Sequence, residues 1–149
     1  MDASRIKILG CGSTQYAGLA GAQLVKSLAC IPADAEPAAE FRYRNPAIEV
    51  DTIYIAVSQS GETLDTLVAA MGSLQEIKAH HGPIVTVTPG WSEETEALAD
   101  HSVTLPECTS EVSTIVMAVA LQLPAYHTDL WIGRDIDQPR NLTKSVTVE

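Results

Sequence analysis

The hexapeptide Ser58-Gln59-Ser60-Gly61-Glu62-Thr63 concentrates hydroxyl donors, a glycine and an acidic residue in one short stretch. It follows Thr52 to Val57, a run rich in β-branched residues, which reads as a strand. It leads into Glu62 to His80, where Leu64, Leu67, Val68, Met71, Leu74 and Ile77 recur at helical spacing. A helix start exposes N–H groups that have no partner within the helix, and its dipole favours negative charge. Gly61 lets the backbone come close to a ligand, while Ser58, Ser60 and Thr63 supply hydroxyls. These parts can cradle a phosphate without a lysine. Serine and threonine also cap ordinary helices, so composition alone fits either reading.

A second loop, Gly10-Cys11-Gly12-Ser13-Thr14-Gln15-Tyr16-Ala17-Gly18, is glycine-rich and follows the apolar run Ile6 to Leu9. Gln15 stands where a dinucleotide fingerprint has its third glycine, and no acidic residue at the usual distance compensates. This argues against a nicotinamide or flavin, and no cofactor is expected. A second lining for the same polar ligand is the more economical use of the loop. Cys11, Cys30 and Cys108 lie far apart, and none of the four histidines, His80, His81, His101 and His127, has a ligand set at metal spacing. No metal site is expected, and the cysteines are expected to be small apolar residues, buried or half-buried. His80-His81, just before Gly82-Pro83, reads as a solvated helix end.

The elements that must hold these loops alternate along the chain. Strands are expected at Ile6 to Leu9, within Asp34 to Glu40, and at Thr52 to Val57, Ile84 to Thr88 and Ser102 to Leu105. Helices are expected at Ala17 to Ala29, Glu62 to His80, Glu93 to Ala99 and Glu111 to Ile132, the last bent at Pro124. Such alternation predicts a single three-layer α/β/α domain with a five-stranded, flavodoxin-like parallel sheet. Ligands then bind outside the carboxyl ends of the strands, where the loops after Leu9 and Val57 would meet. The domain is expected to span residues 1–132, followed by a polar tail, 133–149.

Composition narrows the function further. The chain has 149 residues, 46% of them apolar, with 9 Lys and Arg against 19 Asp and Glu and a net charge of −10. That balance opposes nucleic-acid binding, which needs cations to displace counterions. No apolar run approaches the roughly 18–20 residues of a membrane span, and the first residues lack a secretion-signal layout. The reading is a soluble cytosolic domain. The apolar helix from Val112 to Trp131 would leave surface exposed on a lone sheet of this size, so a homodimer is expected.

Ser58 to Thr63, preceded by Glu40-Phe41-Arg42-Tyr43-Arg44-Asn45-Pro46, resembles a sugar isomerase (SIS) domain. The likeness is to the isomerase portion of the glutamine–fructose-6-phosphate aminotransferases, also called glucosamine-6-phosphate synthases. The front of the chain is similar to the first lobe of that portion. The part from Glu107 onward is similar to its second lobe, including Leu121-Gln122-Leu123 and the tail Asp135 to Glu149. The resemblance implies a hexose phosphate ligand, fructose 6-phosphate or glucosamine 6-phosphate, held by Ser58, Gln59, Ser60 and Thr63, with Thr14 facing the sugar. It also implies that Lys144 forms a Schiff base with the open-chain ketose, and that ketose–aldose isomerisation could follow. The family's general base and ring-opening histidine have no counterpart. Glu111 and His127 match them only in residue type, and Met1-Asp2 offers no glutaminase nucleophile. The alternative is a ligand-free dimeric scaffold, or a truncated or engineered SIS fold without activity.

Overall fold

The structure is a computed structural model that describes residues 4–58, 64–89 and 93–133. Five strands form one sheet: β1 (Arg5–Gly10), β2 (Ala33–Pro37), β3 (Thr52–Val57), β4 (Ile84–Pro89) and β5 (His101–Leu105). Their order is β2-β1-β3-β4-β5, and every neighbouring pair is parallel. The helices are α1 (Ser13–Leu24), α2 (Ala38–Tyr43), α3 (Leu64–Ala79), α4 (Glu93–Leu98) and α5 (Ser110–Trp131). The expected fold class is the one observed.

Alternation along β1 and β3 sorts their side chains into two cores. Ile6, Ile8, Ile55 and Val57 point to one face, where they meet Ala17, Ala22 and Val25 of the first helical segment and Met117, Leu121 and Ala125 of α5. Leu9, Tyr54 and Ala56 point to the other, against Phe41 of α2 and Leu74 and Ile77 of α3. A parallel sheet buried on both faces needs a helical layer on each. The register places Ile8 beside Ile55 and Leu9 beside Ala56, so the two cores stay separate through the sheet. Tyr54 carries a polar atom into the second core, and its hydroxyl accepts the Glu49 N–H at 3.1 Å. Burial pushes its phenol pKa up.

Three expectations need correction. Cys30 and Cys108 are exposed, and only Cys11 is half-buried. Cys30 has φ 52° because it ends a π-helical stretch, Val25–Ala29, that continues α1; a left-handed turn of this kind sits at the surface. Cys108 lies in the connection ahead of α5. Helix α1 begins at Ser13 rather than Ala17, because the glycine-rich loop closes within three residues. The stretch expected to hold a strand up to Glu40 turns helical at Ala38, directly after Pro37. Helix α5 runs from Ser110 to Trp131 through Pro124. That proline is exposed, so a carbonyl deprived of its helical N–H can meet water.

Helices α1 and α5 approach closely because α1 offers small residues. A Cβ added at Gly21 would lie 2.9 Å from the Leu121 Cβ. Gly21→Ala is expected to destabilise the fold by about 1–3 kcal/mol through overpacking, read from chemical denaturation midpoints. On the opposite layer, Asp100 accepts from Lys78 at 2.7 Å and from the Ile84 N–H at 2.9 Å, tying the end of α3 to the start of β4. The Lys78 contact, then the Ile84 N–H, holds the Asp100 carboxyl below its usual 3.8. Its contribution is therefore present above that value and is lost as pH falls through the lowered one. Asp100→Asn should cost about 1 kcal/mol at neutral pH, and the gap to the parent should close as pH falls through the lowered carboxyl value. Thermal melts across that range test the sign.

Candidate functional site

The sheet order makes β1 and β3 neighbours whose following segments diverge. The connection after β1 carries α1 to the face shared with α5, while that after β3 carries α3 to the face shared with α2. The carboxyl edge between such diverging connections is the place where sheets of this topology bind ligands. Gly10-Cys11-Gly12 ends β1 and leads into α1 at that edge, and Ser58 is the residue after β3.

The first loop is built around Thr14. Its hydroxyl donates to the Cys11 carbonyl at 2.8 Å and accepts the Cys11 N–H at 2.9 Å. The residue is 2% exposed. Gly10 makes this possible, because a Cβ there would lie 2.9 Å from the Thr14 Oγ1 and from the Gln15 nitrogen. Gly12 supplies the turn at φ 58°. The N–H groups of Thr14 and Gln15 then donate to the Cys11 and Gly12 carbonyls at 3.3 and 3.2 Å. The hydroxyl of the threonine expected to face a sugar is therefore engaged with its own loop, which uses its proton and leaves one lone pair. No sequence motif announces such a ring, although a threonine three residues after the loop cysteine permits it.

Ser58 is half-buried, and its N–H donates to the Val87 carbonyl at 3.1 Å. That bond fixes the start of the second loop against β4. Gln59, Ser60, Thr63 and Lys144 lie outside the described residues. Of the two residues that match the family's acid–base pair only in type, His127 is exposed on α5, with its ring edge-on to Tyr126 at 5.3 Å. Among the described residues, no group of three or more His, Cys, Asp or Glu side chains could hold a metal ion. No described helix is long and apolar enough to cross a membrane.

A charged cluster at the β2 edge escaped the sequence reading. Lys7, Asp34, Glu36, Arg44 and Pro46 line an open cavity of about 360 Å³. The Lys7 ammonium reaches Glu36 at 2.5 Å and Asp34 at 3.5 Å, and Arg44 also pairs with Glu36. It also stands 5.7 Å from the Phe41 ring centre. Two cations thus face two carboxylates, which leaves little net attraction for an anion. The available signal was Lys7 itself, a charge inside an apolar strand.

The match to known proteins decides the family. The family model described as SIS domain covers residues 1–128. The chain belongs to the SIS domain family. It is 35% identical over 144 residues to the glutamine–fructose-6-phosphate aminotransferase (isomerizing) of Bacteroides thetaiotaomicron, covering 95% of this chain and 23% of that protein. The SIS chain thus spans under a quarter of the length of that relative. In structure it is similar to the C-terminal domain of glucosamine-fructose-6-phosphate aminotransferase from Francisella tularensis. The TM-score is 0.75 at 22% identity, over 92% of this chain and 39% of the other. It also superposes on the Vibrio vulnificus NanR protein complexed with ManNAc-6P, with a TM-score of 0.69 at 16% identity, over 88% and 51%.

Thr14→Val keeps the shape of the side chain but strands the Cys11 amide. It should lower stability by about 1–3 kcal/mol, while Thr14→Ser should stay near the parent. Thermal unfolding of the three proteins side by side measures the difference.

Proposed function

We propose that this SIS domain binds a hexose phosphate, fructose 6-phosphate or glucosamine 6-phosphate, in the crevice between the β1 and β3 loops. The phosphate is held by Ser58, Gln59, Ser60 and Thr63 at the start of α3, with the Thr14 loop opposite. Neutral hydroxyls and backbone N–H groups suit a chain of net charge −10, because they bind an anion through fixed dipoles without needing a surplus of lysine. The observation that carries the reading is the position of Ser58. It opens the polar loop at the topological switch point, in a chain matched by the SIS model. The aminotransferase relative is named for fructose 6-phosphate, and the NanR neighbour holds ManNAc-6P, so the ligand class is consistent with both.

The same reading gives Lys144 a chemical role. Its neutral amine adds to the C2 carbonyl of the open-chain ketose, and loss of water leaves an imine. Phosphate anchoring fixes the carbonyl near the amine and replaces a bimolecular encounter with a positioned one. Isomerisation further requires a base to move a proton between C1 and C2. None of the described residues stands out for that work, so binding is the primary function and turnover is secondary.

Calorimetric titration of the full chain with fructose 6-phosphate tests this reading. The parent should bind. Ser60→Ala combined with Thr63→Ala should weaken binding by at least about 100-fold, since each hydrogen bond to a charged group contributes about 1.5–3 kcal/mol. Borohydride in the presence of the sugar should reduce the imine to a secondary amine, adding the mass of the sugar less one oxygen to the parent and not to Lys144→Ala. Failure of the parent to bind would remove the proposal and leave the ligand-free scaffold.

A further inference from the structure

The charged cavity beside β2 plays no part in the sugar-phosphate reading, and its chemistry differs from that of the polar loops. Side chains alternate along a strand, so Lys7 lies on the face of β1 opposite to Ile6 and Ile8, which belong to the α1 and α5 core. Lys7 is the register partner of Asp34, and Glu36 lies two residues further along β2 on the same face. The connection after α2 brings Arg44 and Pro46 back over this face, and the five residues line an open cavity of about 360 Å³. That volume is at the small end of the roughly 300–1,000 Å³ range of ligand pockets. It admits a small molecule and not a folded partner.

The cavity has a floor and a rim of different character. On the floor, the Lys7 and Glu36 side chains are 20% and 16% exposed and stand 2.5 Å apart. Charges held that far from water need a partner, and each serves the other. On the rim, Asp34 and Arg44 are 48% and 62% exposed. Asp34 stands 3.5 Å from the Lys7 ammonium, beyond the usual N–H···O length, so its carboxylate keeps capacity to accept. Arg44 gives one terminal nitrogen to Glu36, and a guanidinium carries five N–H donors. One small cavity is thus edged by an accepting anion and a donating cation.

The four charges cancel, and that balance selects the occupant. A phosphate would set about −1.5 to −2 charges beside two carboxylates, and a lone cation would meet an ammonium and a guanidinium. A molecule that carries both signs close together meets neither penalty. Its carboxylate suits the planar fork of Arg44, which binds such groups through two parallel N–H donors. Its ammonium suits the Asp34 carboxylate. Pro46 supplies apolar surface for a short side chain. We propose that this cavity binds a small zwitterion, a free α-amino acid with an uncharged side chain.

This site does not depend on the hexose phosphate, and its test uses no sugar. Two-dimensional amide NMR of the full chain follows titration with each L-amino acid of uncharged side chain to about 10 mM, which fills a site of millimolar affinity. At least one should shift the Asp34 amide and Arg44 Nε signals saturably. Its N-acetyl and carboxamide forms, each lacking one charge, should not. Asp34→Asn and Arg44→Gln, both at exposed positions, should each raise the dissociation constant at least tenfold, or about 1.4 kcal/mol. Arg44→Lys keeps the charge but loses the fork, and it should weaken binding as well. Lys26→Gln removes an exposed cation from the opposite layer, next to Val25, and should bind as the parent does. No saturable shift with any of these amino acids, or equal binding by a capped form or by Arg44→Gln, would overturn the proposal.

Discussion

The parallel pairing of β1 with β3 is the constraint on which the rest of the domain depends. Both strands are apolar on both faces, so neither can face water. Their pairing therefore demands helices above and below, and connections long enough to provide them. Placing β1 beside β3 while β2 lies outside β1 sends the two connections to opposite layers. The carboxyl edge between the two connections, where such sheets bind ligands, is a consequence of that divergence.

Electrostatics then decides what kind of crevice it is. The strongly acidic chain has few cations to spare, and those near the β2 edge are committed to acids: Lys7 to Glu36 and Asp34, and Arg44 to Glu36. The proposed binding of an anion therefore falls to groups that carry no formal charge. Hydroxyls and backbone amides at a helix start do this at short range, where their orientation counts for more than the net field. Thr14 contributes to the same end indirectly, since its two bonds to Cys11 hold the loop across from Ser58 in one shape.

Helix α5 carries apolar residues on two sides. Its buried row packs onto α1 because Gly21 lets Leu121 approach, and its outer row is apolar at an eleven-residue period. A helix apolar nearly all round is a poor fit to the outside of a lone domain.

Much of this was legible in the sequence. The strands Thr52 to Val57 and Ile84 to Pro89 are short apolar runs ended by turn residues, and local chemistry settles them. The helix after Val57 and the long helix after Glu107 follow from apolar spacing alone. The alternation of the two types fixes the architecture, because parallel strands admit few other solutions. The motif Ser58 to Thr63 stands out by residue type, and of it only Ser58 lies among the described residues. What the sequence did not reveal depends on distant partners. The exposure of Cys30 comes from a left-handed turn that only the packing of a π-helical end imposes. The neutral state of the Lys7 cluster comes from Glu36 and Arg44, which are remote in sequence and brought together by the register of β1 with β2. Thr14 could be named as a polar residue in the right loop, but the bonds of its hydroxyl to Cys11 follow from the close turn at Gly10, a local backbone geometry that residue type does not declare. Periodicity and residue type act over a few residues and are written in the chain. Which polar group is left to meet a ligand depends on which neighbours the fold has already given it.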